Sequence, residues 1–181
     1  LDCLVQHVGE SQTGEILTRC SCRYPLENLQ EIREEYARTG DLQRAHQMLQ
    51  ERFVRFLRED LELEDEMIAD VLERGWGLAG TLVGNSTIIA TKIPKSGNLK
   101  DYLAETDPEK MKHAYCHCPR VRDALKLGKS IPESYCYCGA GYYRFIWEEI
   151  VQGDVEVEVL ESVLAGGDVC RIAVRIINDA A

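Results

Sequence analysis

The C-terminal part of the chain constrains the fold most, because two stretches there alternate strictly between apolar and polar positions. Val155, Val157 and Val159 alternate with acidic residues, and a second alternating stretch covers residues 171–176. A period of two places the apolar side chains on one face of a β-strand. Glycines lie between the two stretches, so they predict an antiparallel β-hairpin with one buried face.

Both plausible turn lengths of this hairpin give the same register. Val159 is expected opposite Val174 on the buried face, and Glu158 opposite Arg175 on the outer face. Cys170 is then expected on the core side, in the protein core or in the wall of a site.

The first 75 residues have a helical period instead. Apolar residues recur at helical spacing over residues 26–36, 42–57 and 64–74. Gly40 is a typical helix C-terminal residue, and Asp41 can cap the helix that follows. The first two of these helices are predicted to be antiparallel neighbours.

Shorter elements are predicted between these two parts. A hairpin is expected around Gly84 and Asn85, and a short strand at residues 135–138. Further helices are predicted at residues 99–104, 108–112, 119–127 and 141–151. The predicted fold is therefore α+β, with a helical segment (residues 1–75) packed on a small antiparallel sheet within a cysteine-rich part (residues 76–181), in one compact unit.

Composition narrows the classes of partner. The formal net charge is -10, and nucleic-acid affinity rests mainly on an excess of Lys and Arg, so nucleic acid is not expected as a partner. No apolar run has the ~20 residues of a membrane span, and the start at Leu1 has no signal-peptide pattern. The expectation is a cytoplasmic protein, or a fragment of one, without a membrane partner.

Cysteine is unusually frequent and unusually arranged. The chain has eight cysteines. Most of them form C-x-C pairs, namely Cys20/Cys22, Cys116/Cys118 and Cys136/Cys138. Disulfide frameworks serve short secreted chains without a core, whereas this chain is long enough to build one. Reduced thiols with metal or redox chemistry are the better interpretation.

Two of these pairs provide four sulfur ligands, the usual set for a tetrahedral zinc ion. Cys116, Cys118, Cys136 and Cys138 are therefore the predicted zinc ligands. His113 or His117 is a possible substitute for one sulfur. The alternative is a set of buried inert thiols, since free cysteine is among the most buried residue types.

The Cys136/Cys138 pair also has a catalytic interpretation. Gly139 and Gly141 are expected to free backbone amides at a strand-to-helix turn, which would bind an anion and lower the pKa of Cys138. Cys138 would then be a nucleophile with His117 as its base. In the alternative interpretation the glycines only permit a tight turn.

The remaining candidates are ligand-binding residues. Arg120 and Arg122 can clamp a carboxylate or phosphate, although such arginines are more often solvated. Tyr137, Trp147 and Cys170 are predicted to line a pocket beside the metal. Cys20 and Cys22 either close over this site or form a redox pair of their own.

Three segments, YCHCPRVR (115–122), YCYCGAGYYRFIWEEI (135–150) and GDVEVEVLESVLAGGDVCRIAVRI (153–176), carry a family resemblance. They resemble the cysteine-containing small-molecule-binding domains related to the bacteriochlorophyll vinyl reductase accessory domain. That family ends in a G-D-x-x-C-x-[FI] motif, which Gly167, Asp168, Cys170 and Ile172 match with one residue fewer between Asp and Cys. The resemblance implies a helix-rich α+β fold with a small antiparallel sheet, and a small-molecule ligand. The chain is more loosely similar to L-2-amino-thiazoline-4-carboxylate hydrolases.

These observations leave three functional hypotheses. The first is a cytosolic sensor or carrier domain that holds zinc beside a small-molecule pocket. The second is a hydrolase of a small cyclic amide or thiazoline-like substrate, with Cys138 or a metal-bound water as the attacking group. The third is an interaction scaffold that forms a homodimer through its first helices.

Overall fold

The fold is organised around one antiparallel sheet of four strands in the order β1-β2-β4-β3. The computed structural model describes residues 1–94, 98–116 and 118–177, without the side chains of Glu109, His113, Arg120 and Leu125. The strands are β1 (Thr81–Val83), β2 (Thr87–Thr91), β3 (Val155–Glu161) and β4 (Arg171–Ile176).

The described residues contain eight α-helices. They are α1 (Asp2–Arg19), α2 (Gln30–Thr39), α3 (Leu42–Glu59), α4 (Asp65–Glu73), α5 (Leu99–Ala104), α6 (Pro108–Tyr115), α7 (Pro119–Lys126) and α8 (Tyr137–Val151). Of the helices in the described ranges, none is long and apolar enough to cross a membrane. The predicted α+β class, with a C-terminal hairpin, is confirmed.

Local signals place several elements where the sequence predicts them. The Asp41 side chain caps α3 by accepting a hydrogen bond from the Arg44 amide at 3.0 Å. Gly40 ends α2 in the left-handed conformation, with φ of 66°. Strands β1 and β2 form the predicted hairpin around Gly84, whose φ of 63° also favours glycine.

The register of the C-terminal hairpin differs from the prediction by two residues. Val174 lies opposite Val157, and Val159 lies opposite Ile172. The connection is wider than a tight turn, because it contains a 3₁₀ turn at Val163–Ala165 and a bulge between Val159 and Glu161. A shift of two keeps every side chain on its predicted face.

The outer-face ion pair survives this shift as a diagonal contact. The Arg175 guanidinium lies 2.6 Å from the Glu158 carboxylate, although the residue directly opposite Arg175 is Glu156. Cys170 lies just before β4 and is half-buried, with its side chain packed against a hydrophobic cluster.

The strand predicted at residues 135–138 is wrong. Glu133–Cys136 forms a 3₁₀ turn that leads directly into α8 at Tyr137. Alternation over four residues is too short to define a strand, whereas Ala140, Tyr143 and Trp147 recur at helical spacing and are all buried. Gly139 and Gly141 therefore lie within α8 and not at a strand-to-helix turn.

Helix α1 has no counterpart among the predicted elements. Its buried residues are Thr13, Gly14 and Thr18, which are small or polar and give no apolar period. The chain is also non-helical at Gly9, with φ of 79°, so α1 consists of two segments joined at a kink.

The main core lies between the inner face of the sheet and helices α2, α3 and α8. Cross-strand neighbours such as Ile88, Val174 and Val157 share this face. Trp147 and Ile150 of α8 are fully buried against it. The core combines residues from both sides of residue 75, so the helical segment and the cysteine-rich part pack as neighbours.

A second hydrophobic cluster joins α3, α4, α5 and α6. At its centre the rings of Trp76, Tyr102 and Tyr115 contact one another, with centroids 5.7 to 6.0 Å apart. Cys170 packs at the margin of this cluster, which links it to the cysteine-rich region.

Helices α1 and α8 approach closely at small residues. A Cβ atom at Gly141 would lie 2.7 Å from the Thr18 Cα and would overlap the Thr18 carbonyl group. At Gly14 a Cβ atom would lie 3.3 Å from the Tyr137 ring. The contact between the two helices therefore depends on the missing side chain at Gly141.

We expect Gly141→Ala to destabilise the protein by about 2 kcal/mol, because overlap with a backbone carbonyl outweighs the helix propensity gained, ~1 kcal/mol. The melting temperature should fall by about 4 to 8 °C. Gly153→Ala is the matched control, since its nearest neighbour would lie at 3.8 Å. Equal melting temperatures for the two variants, measured by circular dichroism, would contradict the proposed contact.

Candidate thiol site

The structure brings together the four cysteines that the sequence predicts as ligands. Cys116 follows α6 and Cys118 precedes α7, while Cys136 and Cys138 lie at the start of α8. The four are near enough to affect one another electrostatically, since Cys118 raises the pKa of Cys116, Cys136 and Cys138. Cys170 belongs to the same group and raises the pKa of both Cys116 and Cys136.

Local bonds hold both C-x-C pairs in place. The Cys116 Sγ donates to the Cys118 carbonyl at 3.7 Å, so the chain bends back between the two cysteines. Cys136 ends the 3₁₀ turn and forms a hydrogen bond with the Ser162 side chain. Both pairs are anchored to segments that adjoin the second hydrophobic cluster or β3.

Tyr115 connects the sheet to this site. Its ring is buried, and its hydroxyl donates to the Lys92 carbonyl and accepts from the Cys170 amide at 3.1 Å. The Lys92 amide donates to the Cys170 carbonyl at 2.9 Å, which extends the β2–β4 ladder by one residue. Burial raises the pKa of Tyr115, so its hydroxyl remains a hydrogen-bond donor at neutral pH.

The amino group of Lys92 lies beside the first turn of α8, near three of the thiols. A Cβ atom at Gly139 would lie 3.1 Å from the Lys92 Cε and would overlap its Nζ. Gly139 thus provides the room that the ammonium group occupies against the first turn of α8. The positive charge lowers the pKa of Cys136, Cys138 and Cys170, in opposition to other effects.

Burial outweighs this attraction at each thiol. Burial raises the pKa of Cys116 to about 11, and it also raises those of Cys136, Cys138 and Cys170. A thiol with a raised pKa is protonated at neutral pH. These cysteines are therefore neutral when neither a metal nor an oxidant is bound.

The predicted lowering of the Cys138 pKa is wrong. Cys138 lies within α8, and Gly139 and Gly141 belong to the same helix instead of a strand-to-helix turn. Burial raises the pKa of the Cys138 thiol. The roles of Cys138 as nucleophile and His117 as base stay predictions, and His117 lies outside the described residues.

Metal-binding geometry is not preformed in the described part of the site. Within residues 1–94, 98–116 and 118–177, no group of three His, Cys, Asp or Glu side chains is arranged to hold an ion. The His113 side chain lies outside the described part. Three thiols lie near Lys92, those of Cys136, Cys138 and Cys170, and the described side chains do not converge on one point.

The other predicted ligand residues are dispersed. Trp147 is fully buried in the main core, so it does not line a pocket with Cys170. Tyr137 instead packs on Gly14 of α1. Gly141 faces the backbone of α1, Arg122 is half-buried on α7, and the Arg120 side chain is not among the described ones.

The third C-x-C pair adjoins the same site. The Cys138 Sγ donates to the Cys20 carbonyl at 3.8 Å, and the nearby Cys22 raises the pKa of Cys138. Both Cys20 and Cys22 are exposed, immediately after α1. Sequence reasoning left their position open and missed Lys92, Tyr115 and Ser162, whose roles arise from contacts between distant segments.

We expect Lys92→Met to slow the alkylation of Cys136 and Cys138 by about threefold or more, because loss of the ammonium group raises their pKa further. Rates would be measured on reduced, metal-free protein by mass spectrometry after iodoacetamide treatment. Lys100→Met, at an exposed position on α5, is the control for loss of one charge. Unchanged rates in Lys92→Met would show that the ammonium group does not act on these thiols.

Comparison with known proteins adds one finding. A family of unknown function (DUF6144) matches residues 95–180, slightly less than half of the chain. The matched segment contains both central C-x-C pairs and Cys170. Neither the curated proteins nor the solved structures contain a match to this chain.

Proposed function

We propose that this chain is a metal-binding sensor or carrier domain that holds zinc through Cys116, Cys118, Cys136 and Cys138. The observation that carries this proposal is the proximity of thiols from separate segments, with Lys92 acting on Cys136, Cys138 and Cys170. Inert cysteines are usually buried in apolar surroundings. Here Cys118, Cys136 and Cys138 are only half-buried, and an ion has access to them.

Charge favours the same proposal. Four thiolates around one Zn²⁺ carry a net charge of about -2, and such a group is costly in a half-buried place without a compensating cation. The Lys92 ammonium group lies at the position where it offsets this charge.

Metal binding requires two changes at the thiols. They have to rotate about χ1 to converge on one ion, and they have to lose their protons. Because their pKa values are raised, zinc must displace these protons, and affinity should rise with pH. The half-buried Cys170 provides a fifth donor, or a contact to a small molecule bound at the metal.

A reducing compartment such as the cytoplasm suits this proposal, because free thiols persist there. The resemblance to vinyl-reductase-like domains supports a small-molecule ligand in the same part of the chain. For the hydrolase alternative, the raised pKa of Cys138 is unfavourable, and no contact of Cys138 among the described residues favours catalysis over metal binding.

We expect purified protein to contain about one zinc per chain, and Cys118→Ser or Cys136→Ser to lower both zinc content and melting temperature. A metal that binds only the folded state adds its binding free energy to folding. Cys3→Ser, at an exposed position in α1, is the control. Elemental analysis and thermal melting measure the two effects, and equal zinc content in all variants would rule out these ligands.

A further inference from the structure

The edge strand β3 has backbone groups that no neighbouring strand satisfies. The Ile177 amide donates to the Asp154 carbonyl at 3.0 Å, so every second residue from Asp154 onward bonds to β4. The N–H and C=O groups of Val155, Val157 and Val159 consequently point away from the sheet. Among the described residues, none forms a hydrogen bond with these outward groups.

The two edges of the sheet differ in length. β1 has three residues, whereas β3 has seven and is the longest strand of the sheet. Proteins usually keep exposed edge strands short or protect them with charged side chains, especially lysine, or with proline or a bulge. β3 contains no lysine or proline, and its bulge lies near its end, after Val159. Its charged residues are all glutamates, which repel an acidic strand but attract a basic one.

A groove follows this free edge. It has a volume of about 890 Å³ and runs between β3 and α1, with Tyr137 and Ser134 among its lining residues. A strand of seven residues is about 23 Å long at ~3.3 Å per residue, so the edge beside the groove is long enough for an extended segment of similar length.

Unpaired acidic side chains surround the groove. The arginines on its wall are already neutralised, Arg144 by Glu15 and Glu148, and Arg175 by Glu158. Four exposed carboxylates have no ion-pair partner among the described residues, namely Glu10, Glu133, Asp154 and Glu156. The groove therefore has a negative potential that favours a basic occupant.

One buried polar atom in the lining lacks a partner. Ser134 is 5% exposed, and its Oγ has no hydrogen bond among the described residues. A buried hydroxyl without a partner costs free energy, which a bound polar group recovers.

We propose that this groove binds an extended basic segment of a partner protein, which adds to the sheet as a strand beside β3. Main-chain hydrogen bonds to the half-buried Val157 and Val159 provide affinity, and the acidic rim selects lysine and arginine side chains. A second copy of this chain is a poor occupant, because it carries the same net charge of -10 and its own β3 would bring glutamates against glutamates.

The probe is a capped peptide of about seven residues that alternates lysine and valine, matched to the length of β3. We expect saturable binding to wild-type protein by fluorescence anisotropy. A peptide of the same length with glutamate in place of lysine should not bind. Two isomers are methylated on alternate sets of backbone nitrogens, so only one of them loses the donors that face β3. That isomer should bind about tenfold more weakly than the unmethylated peptide, while the other isomer should keep its affinity.

Two variants test the two sources of affinity. Val157→Pro removes an outward N–H that the sheet does not use, and proline is tolerated at such edge positions; we expect about tenfold weaker binding with the circular dichroism spectrum retained. Glu133→Lys/Glu156→Lys should have a similar effect through charge. The matched control is Glu66→Lys/Glu73→Lys on α4, where both side chains are exposed and remote from the groove.

The peptide-binding and sedimentation experiments distinguish strand addition from electrostatic adhesion and from self-association. Equal binding of the methylated and unmethylated peptides would show electrostatic adhesion alone and would overturn the proposal. A dimer of peptide-free wild-type protein in sedimentation, converted to monomer by Val157→Pro, would identify a second copy as the occupant and would overturn it too. Absence of saturable peptide binding by wild-type protein would also overturn the proposal.

Discussion

The packing of α8 between the sheet and α1 determines where the other parts of the site lie. On the sheet side, Ile146, Trp147 and Ile150 are completely buried, and full burial of each such side chain contributes ~1.5 to 3 kcal/mol. On the opposite side Gly141 lets the backbone of α1 approach. Because Cys136 directly precedes this helix, its position is fixed relative to β2 and β4, which adjoin Lys92 and Cys170.

Local chemistry accounts for the parts of the fold that the sequence predicted well. The cap of α3 and the glycine at the end of α2 are signals that span a few residues, and the alternation in β3 and β4 assigns each side chain to a face. The predicted register was wrong because it depends on the length of the connection, where Glu161 accepts hydrogen bonds from the amides of Asp168 and Val169. Such a contact leaves no periodic pattern in the sequence.

In the candidate site too, local features were predictable from the sequence and long-range contacts were not. The C-x-C spacing identified the pairs, because spacing reports local geometry, but it could not predict which pairs the fold brings near one another. The roles of Lys92 and Tyr115 were not predictable, because each arises where a strand end meets a distant segment. Helix α1 escaped prediction for a related reason: it packs through Thr13, Gly14 and Thr18, whose small size lets backbones approach without an apolar period.

The two hydrophobic clusters have a consequence for spectroscopy. The chain has two tryptophans, and each cluster contains one of them, Trp147 in the main core and Trp76 in the second cluster. Trp76 contacts the Tyr115 ring, whose hydroxyl bonds to Lys92 and Cys170. The emission of Trp76 is therefore coupled to events at the thiols, while that of Trp147 reports on the packing of α8 against the sheet.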